Sequence, residues 1–158
     1  MKKYSIDTSG LLDGWRRYYP PDVMPGLWKN LEILIAQGTL IASEMVRDDL
    51  KKKDDEVYAW AQRHGKIFHV VDEQTQKAVS RILSRHRNMI HANRNRSGSD
   101  PFVIALAMVQ KGSVVTGERP SGSLKKPKMP DVCNALGVPC ANLVELCRQQ
   151  KWVFHPSQ

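Results

Sequence analysis

The sequence predicts an α/β fold in which short strands alternate with helices around a mainly parallel sheet. Short runs of apolar and β-branched residues alternate with longer segments whose apolar residues recur at helical spacing. Strands separated by helices imply right-handed crossovers, which leave neighbouring strands parallel. The chain has 158 residues, of which 41% are hydrophobic, so it can form one core, and we assign residues 1–158 to a single domain.

The first half of the chain contains two predicted strands and four predicted helices. In order, they are a strand at 4–6, helices at about 8–19 and 25–37, a strand at 39–42, and helices at about 44–50 and 54–64. Thr8 or Ser9 would cap the first helix, and Ser43 the third, because hydroxyl oxygens accept hydrogen bonds from the first N–H groups of a helix. Pro20 ends the first helix because proline cannot continue it.

The second half is predicted to alternate in the same way. In order, it contains an extended or loop segment at 67–71, a helix at about 73–89, a polar loop to 99, an apolar helix from 100 to 109, a strand at 113–116, a flexible loop at 117–130, and helices at 131–136 and 143–149. Pro101 stands near the favoured first position of the apolar helix. Asp131 would cap the helix that follows the loop, and Val138 is a candidate for a last strand.

The charge balance favours a polyanionic partner. The chain has 24 Lys and Arg against 16 Asp and Glu, a formal net charge of +8. Basic side chains neutralise phosphates, although simple solubility also explains such a charge. No apolar run approaches the roughly 20 residues of a membrane helix, and no secretory signal is recognisable, so we expect a cytoplasmic protein without a membrane partner. The three cysteines are expected to be small buried residues rather than disulfide partners or zinc ligands.

Four acids from distant segments are predicted to converge at one edge of the sheet. In an open parallel sheet, ligands bind outside the carboxyl ends of the strands. Asp7 directly follows the first strand, and Glu118 lies two residues beyond Thr116 at the end of the clearest strand. Asp100 opens the helix before that strand, and Asp49 lies on the helix after the second strand.

Clustered carboxylates suggest a metal site. They raise one another's pKa unless a cation neutralises them, and oxygen ligands without cysteine or histidine suit Mg²⁺ or Mn²⁺. Such ions activate water and stabilise the leaving oxygen of a phosphodiester. Taken singly, Asp7 and Asp100 could be helix caps, and Asp49 and Glu118 could be solvated surface charges. The prediction of a nuclease site therefore depends on their joint placement.

Several segments resemble, in order and spacing, those of the PIN domain family. They are Ile6-Asp7-Thr8-Ser9, Ser43 to Leu50, Ser99 to Ala107 and Val114 to Glu118. Residues 15–20, 53–61 and 129–133 also resemble a bacterial PIN-like branch, so the likeness covers nearly the whole chain. The resemblance implies a three-layer α/β/α fold, an acidic pocket that holds Mg²⁺ or Mn²⁺, and endonucleolytic cleavage of RNA.

The resemblance also implies roles for individual residues. By position, Asp7, Asp100 and Glu118 match acids of the family, and Asp49 matches a position where glutamate is usual. These four are the predicted catalytic residues and metal ligands. Because aspartate is one methylene shorter, the contact of Asp49 with metal would run through water, or Glu44 would contribute. Many bacterial members are toxins of toxin–antitoxin pairs and often dimerise, so a cognate antitoxin and a homodimer are expected partners.

Three further residues have two interpretations each. The hydroxyls of Thr8 and Thr116 are suited to holding a metal-bound water or a phosphate, and they could equally be structural. Asp131 is either a fifth acid of the pocket or only a helix cap.

Basic residues flank the predicted pocket on both sides in the sequence. No acid occurs from residue 74 to 99, and a second basic group follows Glu118. The predicted RNA-binding residues are Arg81, Arg85, Arg87, Arg94, Arg96, Lys125, Lys126 and Lys128. The aromatic residues Trp15, Tyr18 and Tyr19 would either stack on unpaired bases or belong to the core.

The sequence thus predicts a metal-dependent endoribonuclease, the toxin of a type II toxin–antitoxin pair. Two alternatives remain open: a non-catalytic nucleic-acid-binding module on the same fold, and a DNA nuclease of the related flap type. A haloacid-dehalogenase-like phosphatase is disfavoured, because that class needs a second aspartate two residues after the first, where this chain has Ser9.

Overall fold

The computed structural model of the protein describes residues 2–88 and 98–156. In these residues the chain forms five strands and eight α-helices. The strands are β1 (Tyr4–Ile6), β2 (Leu40–Ser43), β3 (Phe68–His69), β4 (Ser113–Val115) and β5 (Cys140–Ala141). The helices are α1 (Thr8–Asp13), α2 (Pro25–Ala36), α3 (Glu44–Lys53), α4 (Asp55–Arg63), α5 (Glu73–Arg85), α6 (Asp100–Val109), α7 (Met129–Leu136) and α8 (Leu143–Gln149).

The five strands form one parallel sheet in the order β3-β2-β1-β4-β5, as the alternation of strands and helices predicts. Tyr4 of β1 stands in register with Leu40 on one side and Ser113 on the other. The chain moves outward from β1 to β2 and β3, and then returns to β4 on the other side of β1. Because the direction of winding reverses between β1 and β4, a crevice for ligands is expected at their carboxyl ends.

Helices cover both faces of the sheet and complete a three-layer α/β/α sandwich. The Ser5 hydroxyl donates a hydrogen bond to the Val103 carbonyl of α6 (2.8 Å), so this side chain faces α6. Side chains alternate along a strand, so Ile6 faces the opposite side. There it meets α1, since a Cβ on Gly10 would lie 3.0 Å from Ile6 Cγ1. The helix α5 packs against α6.

A cluster of tryptophans extends the core under the segment that follows α1. The rings of Trp15, Trp28 and Trp60 contact one another, with centroids 4.9 Å apart for Trp15 and Trp28, 5.1 Å for Trp28 and Trp60, and 6.1 Å for Trp15 and Trp60. Trp28 and Trp60 are buried, and Trp15 packs against them as a partly buried residue. This settles the interpretation of Trp15, which is a core residue rather than a platform for bases.

The start of α1 differs from the prediction. Asp7 is the N-cap, and its carboxylate accepts a hydrogen bond from the Gly10 N–H at 2.7 Å. Thr8 and Ser9, the predicted caps, lie inside the helix. Extended backbone at Asp7, directly after the strand, places its side chain over the first N–H groups, where a carboxylate caps as well as a hydroxyl. At Gly14 the α-helix becomes a π-helical turn that ends at Tyr18.

Boundaries in the second half also differ, and the strand predicted at 113–116 ends at Val115. The helix α5 ends at Arg85, whereas the prediction extends to 89, which lies outside the described residues. The helix α7 starts at Met129, two residues before Asp131, because Pro130 is already compatible with its first turn. The last strand is β5 rather than Val138, whose N–H is used to close the end of α7 on the Cys133 carbonyl.

Within 2–88 and 98–156, no helix combines the length and the hydropathy needed to cross a bilayer. All three cysteines are free thiols. Cys133 is buried, as expected, whereas Cys140 and Cys147 are only partly buried.

Candidate active site

Asp7 and Thr116 meet at the carboxyl ends of β1 and β4. The Asp7 N–H donates to the Val115 carbonyl (2.9 Å), which fixes the backbone of Asp7 beside β4. Its carboxylate accepts hydrogen bonds from the hydroxyls of Thr116 and Ser9 and from the Gly10 N–H. Asp7 is only 1% exposed, so these donors replace the water that a surface carboxylate would have.

Asp100 is the second buried acid of the site. It is the first residue of α6 and is 4% exposed. Burial raises the pKa of Asp7, and the charge of Asp100 raises it further, to about 7, although hydrogen bonds from Thr116, Gly10 and Ser9 oppose the shift. Two buried carboxylates that repel one another in this way are stabilised by a shared proton or by a bound cation.

Asp49 is joined to the start of α1 by Thr8, the residue that follows Asp7 in the chain. The Thr8 hydroxyl donates to Asp49 Oδ2 at 3.0 Å, so α1 orients a side chain of α3. Thr8 is buried, whereas Asp49 is partly exposed. Of the two interpretations of Thr8, this hydrogen bond to Asp49 is a structural contact, and a role in holding a metal-bound water or a phosphate stays a prediction.

Glu118 and Glu44 point to different neighbours. Glu118 donates its backbone N–H to Thr116 Oγ1 (3.1 Å), and its carboxylate accepts the first N–H of α7, from Met129, at 2.7 Å. Glu118 therefore lies next to Thr116 and is held by α7. The Glu44 carboxylate accepts the N–H of Val71 in the β3–α5 connection. The structure thus groups Glu44 with β3 rather than with Asp7.

Asp131 is a helix cap that also shapes the preceding loop. Its carboxylate accepts backbone N–H groups from Ser121, Gly122 and Lys128 at 2.8 to 3.0 Å. Burial opposes the shift, but these N–H donors lower the pKa of Asp131 to about 2. Both oxygens of Asp131 are therefore engaged by the loop and the helix. Asp131 caps α7 from its third position, by accepting the N–H of the N-cap residue Lys128, and this matches the helix-cap interpretation.

The donor set suits a hydrated divalent ion. In the part of the chain that the structure describes, no group of three or more Asp, Glu, His or Cys is arranged to hold one metal ion. Asp100 is the acid whose charge acts on Asp7. Asp49 accepts a hydrogen bond from Thr8, and the Glu118 N–H donates one to Thr116, so these two acids are connected to the site through threonines. Mg²⁺ fits such a pair because it retains several waters and commonly uses only one or two carboxylates together with substrate phosphates.

Sequence reasoning did not assign Ser9, Gly117 or Asp13 to the site. The Ser9 hydroxyl also accepts the Gly117 N–H at 3.0 Å, which closes a network between α1 and the end of β4. A Cβ at position 117 would lie 2.6 Å from Asp13 Oδ2 and 2.8 Å from the Ser9 carbonyl. A glycine directly after the threonine at a strand end is the signal that could have indicated this close approach. Asp13 resembles a solvated helix residue and gives no such signal.

Gly117 tests how tightly α1 packs on the end of β4. We expect Gly117→Ala to destabilise the protein by about 1–3 kcal/mol, because the Asp13 side chain can rotate away but the Ser9 carbonyl belongs to the backbone. Gly65→Ala is the control, since no atom lies within 4 Å of a Cβ built there. Urea unfolding followed by tryptophan fluorescence measures both. Equal stability of the two variants would contradict the proposed packing.

The predicted RNA-binding residues are mostly exposed where the structure describes them. Arg81 and Arg85 on α5, and Arg87 just beyond it, are exposed. Lys125 and Lys126 are exposed in the loop between Glu118 and α7, and Lys128 is partly buried. Arg94 and Arg96 lie outside the described residues. The exposed cations therefore belong to elements that directly precede or follow those carrying Asp100 and Glu118 in the chain.

Residues 4–154 match the model of a family described as a domain of unknown function, DUF4411. No curated protein matches the chain.

Proposed function

The chain belongs to the DUF4411 family, and we propose that it is a metal-dependent endoribonuclease that hydrolyses RNA phosphodiester bonds. The observation that carries the proposal is the buried pair of Asp7 and Asp100. The pair lies where the winding of the sheet reverses, which is the usual place for ligands in open α/β sheets. The resemblance of the surrounding segments to PIN domains supports the same activity.

In this proposal, Asp7 and Asp100 hold Mg²⁺ or Mn²⁺, and Asp49 and Glu118 complete the site through bound water. Such an ion supplies an activated water and stabilisation of the leaving oxygen. Thr116 and Ser9 keep the Asp7 carboxylate in one orientation by donating to its two oxygens.

The net charge of the chain supports a nucleic acid as substrate. The chain has a formal net charge of +8, and Lys125 and Lys126 lie exposed in the loop after Glu118. These lysines would bind phosphates on either side of the bond that is cut, so binding should weaken as salt rises. The acids at the centre would repel RNA unless a cation neutralised them.

We extend the proposal to a toxin of a type II toxin–antitoxin pair, on the PIN resemblance alone. Its partners would then be RNA, a cognate antitoxin that covers the pocket, and a second copy of the chain. Co-expression with the protein encoded by the neighbouring open reading frame would test the antitoxin, since that protein should relieve growth inhibition.

The activity is tested by incubating the purified protein with total RNA and with a short DNA, in Mg²⁺, Mn²⁺ or EDTA. We expect discrete RNA fragments that require metal, and intact DNA. Cleavage of DNA but not RNA would contradict the proposal and favour a nuclease of the flap type.

A second candidate is a nucleic-acid-binding module without catalysis. The observation that favours it is the spacing of the acids, since no three of the described ones are arranged to hold one ion. This candidate predicts salt-dependent RNA binding with no cleavage in either metal. The same incubation therefore distinguishes the two, provided that RNA binding is measured in parallel.

A further inference from the structure

The π-helical turn after α1 presents Tyr18 to solvent next to the acidic site. Tyr18 is 60% exposed, although the same turn begins beside the buried tryptophan cluster. The Trp28 indole N–H donates to the Tyr19 carbonyl at 2.6 Å, which anchors the end of the turn. Single π turns of this kind are frequent at functional sites, because they redirect a side chain within a helix. The exposed ring of Tyr18, next to this anchored residue, is an aromatic surface available to a ligand.

A small cavity connects this aromatic surface to the acids. Its volume is about 190 Å³, and its lining includes Tyr18, Tyr19, Thr116, Glu118 and Asn142. Pockets for whole small molecules usually measure about 300–1,000 Å³, so this one has room for a single ring system. Thr116 binds the Asp7 carboxylate and also lines the cavity, so a group inside would lie next to the candidate metal site.

The polar lining suits the edge of a nucleobase. The Asn142 side-chain oxygen accepts the Glu145 N–H at 2.8 Å, so its amide nitrogen is the group that can donate to a ligand. Asp13 and Glu118 supply acceptors for an exocyclic amino group. Arg119 also lines the cavity, and its charge offsets one of these two carboxylates. The remaining net negative charge disfavours a phosphate, so the cavity favours a neutral, flat group, and the sugar–phosphate backbone would remain outside.

We propose that this cavity binds one unpaired nucleobase adjacent to the phosphate that is cut, with Tyr18 stacked on its face. The inference rests on the proposed endoribonuclease function and narrows its substrate to single-stranded RNA. A base in a duplex is stacked and paired and cannot enter, whereas unpaired bases are commonly stacked on aromatic side chains.

Binding of a short single-stranded RNA that carries 2-aminopurine beside a non-hydrolysable phosphate linkage tests the inference in Mg²⁺, because the ion neutralises the acids and the linkage prevents cleavage. Wild-type protein should quench the fluorescence of the base, since stacking on tyrosine quenches it. Tyr18→Ala should weaken binding by about 5- to 150-fold, the range that loss of one base–aromatic stack produces. Tyr18→Phe keeps the ring and should bind as wild type does. Phe154→Ala removes another exposed aromatic, 41% exposed and outside the cavity, and should have no effect.

The outcomes separate this inference from the proposed function. Quenching that depends on Tyr18, without cleavage in any metal, would support the base site and overturn the nuclease. Metal-dependent cleavage with equal binding by wild type and Tyr18→Ala would support the nuclease and overturn the base site. Absence of binding by wild-type protein would also overturn the base site. Equal melting temperatures of the variants ensure that a loss of binding is not a loss of fold.

Discussion

Replacing Asp100 with asparagine is expected to reduce metal-dependent RNA cleavage by about 100-fold or more, because a metal ion contributes several kcal/mol of transition-state stabilisation. Asparagine preserves the shape of the side chain but removes the charge that would hold the ion. Asp7→Asn should have an effect of similar size. The measurement is the initial rate of cleavage of a short RNA over a range of Mg²⁺ concentrations.

Asp72→Asn is the matched control for Asp7→Asn. Both aspartates are helix N-caps that accept an N–H three residues later, Asp7 from Gly10 and Asp72 from Thr75. Asp72 is exposed, at the start of α5. The control should therefore lose the charge of a similar cap, whose hydrogen bond asparagine can still accept, and should retain cleavage. If Asp72→Asn lost as much activity as Asp7→Asn, or if Asp7→Asn cut as well as wild type, the assignment of the site would be wrong.

Much of the fold follows from the sequence because its central strands are strongly apolar. The strands β1 and β4 are fully buried runs, and their order among the helices fixes a parallel sheet. The outer strands could not be predicted in this way. Each of β3 and β5 has two residues and becomes a strand only because a neighbouring strand offers its edge for pairing. The π turn after Asp13 was also missed, since periodicity does not distinguish it from an α-helix.

The proximity of Asp7 and Asp100 could be predicted because topology alone brings the end of β1 close to the start of α6. The connections of Asp49 and Glu118 could not, because they depend on hydrogen bonds from Thr8 and Met129 that no spacing encodes. The same applies to Asp131, whose carboxylate is used by the loop before it. The catalytic roles of the acids remain predictions.

The shifted pKa of Asp7 has a consequence for stability that does not depend on catalysis. Its value of about 7 in the folded protein lies above the ordinary 3.8. The folded protein therefore binds a proton that the unfolded chain releases, and the stability from this group is complete below about pH 3.8 and lost as pH rises through 7. In EDTA, wild-type protein should be less stable at pH 8 than at pH 5 on account of Asp7.

Asp7→Asn should accordingly be more stable than wild type at pH 8 in EDTA, by about 1–3 kcal/mol, and this advantage should shrink at pH 5. Added Mg²⁺ should stabilise wild type at pH 8, since it binds only the folded protein, and should stabilise the variant much less.

Asp131→Asn is the control of opposite sign. Because the pKa of Asp131 is lowered, this carboxylate stabilises the folded protein above about pH 3.8, and that stabilisation is lost as pH falls through 2. Asp131→Asn should therefore have a lower free energy of unfolding than wild type at pH 8. Urea unfolding followed by tryptophan fluorescence at both pH values measures all three proteins. If Asp7→Asn were more stable than wild type by the same amount at both pH values, the pKa of Asp7 would not be raised in the folded protein. If Mg²⁺ stabilised wild type and Asp7→Asn equally, the ion would bind elsewhere.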